Sequence, residues 1–576
     1  MRDRLPTRRT PRAALAVAAA LAAATLAACA PAWKQAPHDQ RFQRAPAPIL
    51  HRPPAPEALP GDWWDRAHSS SVRPLARAVS PARWLAGLAG GPEALDVNAF
   101  GEVPDSTWFE NRIGRRPMTP EEIAHGPGLS EPAPGPLVVV SGKLQGATPG
   151  IVVRDSKGTI WYLKIDPPAY REMATGAEIV AQRLLHAAGY LVPEMQIVDL
   201  AVDRLVVEPG SLRVDDYNRM VPLTRPYLQA LIANLNPTAE GRIRTLVSRQ
   251  VPGTPIGPFR YRGFRIDDPN DRIPHERRRS LRGLWLLSAW LNNTDVRQQN
   301  TLDSFIVVDQ QRRLGYVRHH LIDFGDSLGA AGERDKYLGE GYEGHIDWPA
   351  ILGRLFGGGL VYPYWLGVRR SPYRTVGLFE AEVFDPARWS PGYPNPAFDA
   401  ATPRDTFWAA SLLARLDREH VAAAIEAARY SEPGAAAYVL DVLMKRREKL
   451  LRHAFRRVVP LVDPEVAGTT LRLRDLGVAT GLVAAASAWY RFEVRWNRSG
   501  KMDCLLAQHR AAAPEIDLAP ALARASELSP GALTRDPFVT VSVWRVRHGR
   551  RGPRLDVHLR VVDGGLLPVG LWREVE

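Results

Sequence analysis

The chain reads as α+β, with an antiparallel β lobe, a mainly helical lobe after it and a β-rich accessory domain at the C-terminal end. Three observations predict this order. β-Branched runs punctuated by turn residues occupy 137–166, helix-period apolar patterns fill 405–458, and alternating runs such as Phe538 to Val546 and Leu555 to Val562 return near the end. With 576 residues and 45% apolar content the chain can bury several cores, and two to four domains are expected.

Arg2, Arg4, Arg8, Arg9 and Arg12 precede the uncharged run Ala13 to Ala28, the order of a signal peptide, assigned to residues 1–28. The run is shorter than the roughly 20 residues that a permanent span needs. Leu26-Ala27-Ala28-Cys29 resembles the lipobox of bacterial lipoproteins. That resemblance implies cleavage before Cys29, lipidation of its thiol and attachment to a membrane. Ala30 also lacks the aspartate that commonly retains such proteins at the inner membrane. The implied location is the cell envelope, the outer membrane favoured over the inner.

Residues 29–60 carry eight prolines and read as a tether. Residues 61–135 place Trp63, Trp64, Trp84, Trp108 and Phe109 between turn signals, as an extension packed on the next domain. Cys504 is the other cysteine, so no internal disulfide is expected in the mature chain. The net charge of +13 falls to about +9 without the five arginines and Asp3 of the leader. Basic clusters at 277–279, 445–447, 456–457 and 545–551 read as solvated faces or helix ends. Lipid head groups or polysaccharide, and no nucleic acid, are the expected anionic partners.

Leu137 to Val140, Ile151 to Val153 and Thr159 to Asp166 predict a three-stranded antiparallel meander, and Arg171 to Ala188 a helix closed by Gly189. Strands near Met195 to Leu200 and Arg204 to Val207 complete the β lobe, 136–212. The helical lobe, 213–460, opens with a loop-rich insertion to about 275. Its helix Arg277 to Leu291 runs into Asn292-Asn293-Thr294-Asp295 and on to Asn300, followed by a hairpin and Leu321-Ile322-Asp323-Phe324-Gly325. Residues 335–400 look irregular, 405–458 helical, and 468–576 form the accessory domain.

Phosphoryl transfer needs a glycine hairpin over the phosphates, a lysine on them, a carboxylate holding that lysine, and oxygen ligands for Mg²⁺. Candidates stand in that order: Gly142, Gly146 and Gly150; Lys164 mid-strand; Glu178 on the next helix; Asp295 and Asn300 after a helix; and Asp323 opening an Asp-Phe-Gly turn. Residues 136–460 thereby resemble the protein-kinase-like fold, in its atypical branches such as HipA-type and phosphoinositide kinases. The resemblance implies two lobes, ATP or another nucleotide gripped by the glycine hairpin and Lys164, Glu178 paired with Lys164, and Asp295 orienting or deprotonating the acceptor hydroxyl. It implies that Asn300 and Asp323 hold the metal. Asn293 and Thr294 depart from the histidine and arginine of typical protein kinases, and the hairpin departs from their glycine pattern.

The remaining motifs are bland. His275, His319, His320 and His345 lack metal-ligand spacing, no Gly-x-Ser-x-Gly elbow occurs, and Cys504 has no catalytic signature. The function expected is a membrane-tethered kinase-like phosphotransferase, or nucleotidyl transferase, on an unidentified acceptor. The alternative is a non-catalytic envelope lipoprotein that binds a protein or glycan. Export and ATP chemistry pull apart, since no nucleotide pool is expected outside the inner membrane. Another donor, a binding role or a cytoplasmic facing would each resolve that tension.

Overall fold

The computed structural model describes residues 41–42, 44–57, 71–72, 75, 91–143, 150–214, 219–235, 237–332, 334–344, 346–357, 360, 362–498, 501–547, 549–562 and 565–576. The leader, Cys29, half of the tether, Trp63, Trp64, Trp84, Gly146 and His345 lie outside them.

The chain is mixed α+β. Its first sheet has seven strands in the order β4-β7-β3-β2-β1-β5-β6. These are β1 Leu137–Lys143, β2 Gly150–Arg154, β3 Ile160–Lys164, β4 Met195–Ala201, β5 Leu205–Val214, β6 Met220–Pro222 and β7 Arg242–Arg249. The expected meander is β1-β2-β3. Asp155 shapes its second turn by accepting from Lys157 N and Thr159 N, both at 2.9 Å, and Gly158 takes φ 80° there. Two features differ from the sequence reading. β1 and β5 pair in parallel, and the sheet continues past residue 212 because β7 inserts between β3 and β4. In β7 the alternation of Ile243 with Arg242 and Arg244 hides a strand buried along Thr245 to Ser248.

Helix α1 (Pro120–His125) precedes the sheet, α2 (Met173–Ala188) follows β3, and α3 (Arg225–Asn234) lies between β6 and β7. Strands β1, β2, β3, β5 and β7 share a core with Leu228 of α3. Helix α2 belongs elsewhere: 15 of its 16 residues are buried, and its apolar ones join the large helical core. Gly189 closes it at φ 127°, where a Cβ would come within 2.3 Å of the Phe109 ring. Trp108 and Phe109, the extension's anchors, are buried in the same core.

That core is built from α4 (Arg279–Leu291) and, after the exposed α5 (Trp348–Phe356), from α6 (Pro403–Leu413), α7 (Arg418–Glu426) and α8 (Ala435–Arg457). β8 (Thr254–Gly257), which precedes α4, forms an antiparallel sheet with β9 (Thr301–Asp309) and β10 (Leu314–Leu321), which follow it, and β11 (Ala330–Ala331) pairs with β12 (Arg334–Asp335). Arg456 and Arg457 are exposed at the end of α8, whereas the clusters at 277–279 and 446–447 are not solvated faces. Arg278, Arg279, Arg282, Arg446 and Arg447 are buried. Arg278 pairs with Asp271, and Arg279 and Arg282 share Asp405, which offsets cations at the unfavourable end of α4. Arg446 donates to Ala289 O and Trp290 O, carbonyls in the last turn of α4.

The C-terminal region starts at Leu461. β13 (Leu461–Ala467), β14 (Thr470–Asp475) and β17 (Glu515–Asp517) form one sheet, while β15 (Trp489–Arg498), β16 (Lys501–Ala511), β18 (Phe538–Arg547), β19 (Arg550–Val562) and β20 (Gly565–Arg573) form a second, in the order β16-β15-β18-β19-β20. Together with α9 (Ala519–Leu528) they enclose a core of their own.

Candidate functional site

Lys164, at the end of β3, stands opposite Gly150 of β2 in the sheet register. Its Nζ is 2.8 Å from both oxygens of Glu178 and 2.8 Å from Asp323 Oδ1. Two residues on, Asp166 accepts from Ala174 N and Thr175 N at 2.9 and 3.0 Å, supplying the cap that α2 lacks at its own N-cap residue. β3 therefore grips α2 at its start and at its middle. Arg244 of β7 binds both Asp166 and the carbonyl of Ala428, tying this corner to the helical core.

The Asp-Phe-Gly turn is fixed from three sides. Asp323 has φ 60°, a left-handed conformation that costs free energy for a non-glycine residue and is held by its neighbours. Phe324 is buried in the helical core, and its N–H donates to Glu178. At Gly325 a Cβ would stand 3.5 Å from Glu178 Oε2. The Asp323 side chain, in contrast, is 42% exposed. Burial lowers the Lys164 pKa, but the Asp323 and Glu178 carboxylates outweigh it and hold the ammonium above its ordinary range. Burial and the Asp323 charge push Glu178 up despite Lys164.

Asp295 and Asn300 occupy the loop after α4. Asn292 ends the helix in the left-handed region at φ 51° and accepts from Trp389 Nε1. Gly392 N then bonds Thr294 O, and Asn395 Nδ2 bonds Val296 O. Asn300 donates from Nδ2 to the Asp295 carbonyl at 2.7 Å, which leaves its Oδ1 as the other end of the amide. Asp295 Oδ1 lies 2.8 Å from Arg297 Nε, in an ion pair without an aligned hydrogen bond. The loop joins the turn through Ile322 N, which bonds Asn300 O at 3.0 Å one residue before Asp323.

Two further residues of this site were not identified from the sequence. Lys336 is completely buried and its ammonium bonds Thr294 Oγ1, adjacent to Asp295. Burial holds it below the usual lysine range against the charges of Asp326, Glu340 and Asp295. Asp326, three residues after Asp323, is pushed up to about 7 by burial, with Asp295, Asp323 and Glu340 adding to the rise and Lys336 opposing it. A signal did exist for Lys336: only eight of the 75 basic residues are lysines, and one of them follows the Asp-Phe-Gly turn.

Direct contacts thus unite Lys164, Glu178 and Asp323, and separately Asp295 and Asn300, with a backbone bond linking the two sets. Gly150 opens β2 opposite Lys164, and Gly142 is the penultimate residue of β1, opposite Ile151, while Gly146 and Cys29 lie outside the described residues. Among the described residues no three His, Cys, Asp or Glu side chains cluster as a metal cage. Mg²⁺ does not require one, because it is commonly held by one or two protein oxygens with phosphate and water. The Asn300 Oδ1 and Asp323 carboxylate have the chemistry for that mode. Clefts of about 390 Å³ beside Arg418 and Asp441, and of about 510 Å³ beside Pro520 and Arg524, touch none of these residues.

No family model matches the chain, and no curated protein matches it. Among solved structures it is similar to one titled "Crystal structure of the golgi casein kinase", at 10% identity and a TM-score of 0.27, over 70% of this chain and 95% of that one. The functional reading accordingly rests on the local geometry.

Proposed function

We propose that this chain is a kinase-like phosphotransferase of two lobes, acting with a nucleotide such as ATP and Mg²⁺, and tethered to a cell-envelope membrane through lipid on Cys29. The observation that carries the reading is Lys164 held between buried Glu178 and exposed Asp323, with Phe324 N–H locking Glu178 to the turn. In this reading Lys164 contacts the nucleotide phosphates while Glu178 keeps it oriented. The hairpin bearing Gly142, Gly146 and Gly150 covers the same phosphates. Asn300 and Asp323 would hold Mg²⁺, which when bound neutralises charge on the transferred group. Asp295 accepts or orients the proton of the acceptor hydroxyl, steadied by Arg297 and by the Lys336–Thr294 bond.

The test is a thermal titration of the purified chain with Mg²⁺ and ATP, or another nucleotide, against Asp323→Ala. A ligand that binds only the folded state raises Tm by mass action, so wild type should shift and the variant should not. A second reading, a non-catalytic envelope lipoprotein that binds protein or glycan, has one observation in its favour: Lys164 already has two carboxylate partners. No shift with any nucleotide would select it. Replacement of Cys29 by Ser tests the tether, with release from the membrane fraction expected.

A further inference from the structure

Between Asp347 and Glu380 the chain contains no acidic residue and four arginines, Arg354, Arg369, Arg370 and Arg374. The same stretch exposes its apolar side chains. Leu355, Phe356, Leu360 and Tyr362 are 70, 82, 86 and 76% exposed, with Leu352 and Leu366 beside them in the sequence. Single exposed apolar residues are ordinary, but a concentration of large ones marks a surface that meets something apolar.

The ledge is fixed to the molecule on its other side. Glu343 bonds Arg354 Nη2 at 2.5 Å and Trp365 Nε1 at 2.8 Å. Tyr342 packs with Val368 and Leu378 in a small core. Seven residues before Glu343, Lys336 bonds Thr294 beside Asp295. The ledge therefore sits at a set place relative to the Asp295 loop.

We propose that residues 348–357, 360 and 362–374 dock into the head-group layer of an anionic lipid surface, and that the acceptor hydroxyl is borne by a molecule held at that surface. The second half rests on the phosphotransfer reading; the first does not. The ledge cannot span, because α5 has nine residues and among the described residues no helix is long and apolar enough to cross a membrane. An amphipathic element with tryptophan, tyrosine and arginine and no carboxylate fits the boundary between acyl chains and anionic head groups. Exposed Arg369 and Arg374 complement a uniformly negative surface, with Arg370 beside them in an ion pair with Asp335.

The apolar leader could hold the full chain on vesicles by itself, so the readout must be local. An environment-sensitive fluorophore is placed on Leu360→Cys in the full chain carrying Cys29→Ser and Cys504→Ser, with Glu527→Cys on α9 as the control position. Vesicles containing phosphatidylglycerol should blue-shift the probe at 360 and not at 527, whereas phosphatidylcholine vesicles should do so weakly. Leu355→Asp with Phe356→Asp, or Arg369→Glu with Arg374→Glu, should raise the vesicle concentration needed by at least about tenfold at unchanged Tm. No shift on anionic vesicles, or a shift insensitive to both pairs of substitutions, overturns the docking. Sedimentation of a dimer that Leu355→Asp dissociates would overturn it in favour of a second copy of the chain. Equal phosphotransfer to a soluble acceptor with and without vesicles would overturn the acceptor clause alone, while failure of the nucleotide titration would leave the docking result standing.

Discussion

Asp475 and Asp323 each sit against a basic side chain, and their surroundings differ. Asp475, in the C-terminal region, receives Arg545 Nη1 at 3.1 Å on both oxygens, Tyr490 Oη at 2.8 Å and Gly477 N at 2.7 Å. Both Asp475 and Arg545 are buried. Asp323 is held by Lys164 and by its own strained backbone, yet its side chain is 42% exposed. A buried carboxylate with its acceptor sites filled stabilises a fold. One exposed beside a lysine that is itself anchored by a second carboxylate is suited to a ligand.

The sharpest break in this comparison is Lys164→Met. It should abolish the nucleotide-dependent Tm shift and also destabilise the fold by about 3 kcal/mol, because buried Glu178 loses its cation. Urea unfolding with and without nucleotide measures both effects. Next, Asp475→Asn should cost a similar amount, about 3 kcal/mol, by leaving Arg545 buried without its charge partner. It should leave nucleotide binding intact. Asp323→Asn should do the reverse, costing less than about 1 kcal/mol while removing the ligand response. If the two aspartates behaved alike, the distinction drawn between them would fail.

Lys336→Met tests the site at one remove. Loss of the Thr294 contact should lower kcat more than tenfold while the KM for nucleotide changes by less than about threefold, and Lys336→Arg should recover part of kcat. An equal rise in KM alone would place Lys336 on the nucleotide instead.

One further effect concerns acid. Burial lowers His558, in the C-terminal sheet, from 6.5 to about 4. Between those values the unfolded chain binds a proton that the folded domain refuses. Stability is therefore fully present above pH 6.5 and falls by up to roughly 1.4 kcal/mol per pH unit as pH drops toward 4. Replacing His558 by Gln should flatten this decline in a denaturation series, with no effect on nucleotide binding.

Much of this architecture was legible because local pattern and local structure coincide. The β1-β2-β3 meander, the helix ending at Gly189 and the Asp-Phe-Gly turn each depend on residues close together in the chain. β7 was not legible, since Arg242, Arg244 and Arg249 give it the composition of a solvated loop while their partners are supplied from elsewhere, Arg244 by Asp166 and Ala428. The buried arginines of α4 and α8 were misread for the same reason. Asp326 and Lys336 gain their place only when the chain after the turn folds back on the Asp295 loop, a tertiary event that leaves no periodic signature.

That return of the chain is governed by two glycines. A Cβ on Gly329 would lie 2.3 Å from Leu378 C, and one on Gly377 2.2 Å from Gly329 C. Gly329 O also accepts from Lys336 N at 2.8 Å and Leu378 N at 3.0 Å. Main chain meets main chain there with no side chain to act as a cushion. The stretch that delivers Lys336 behaves as a riveted joint rather than a swinging arm.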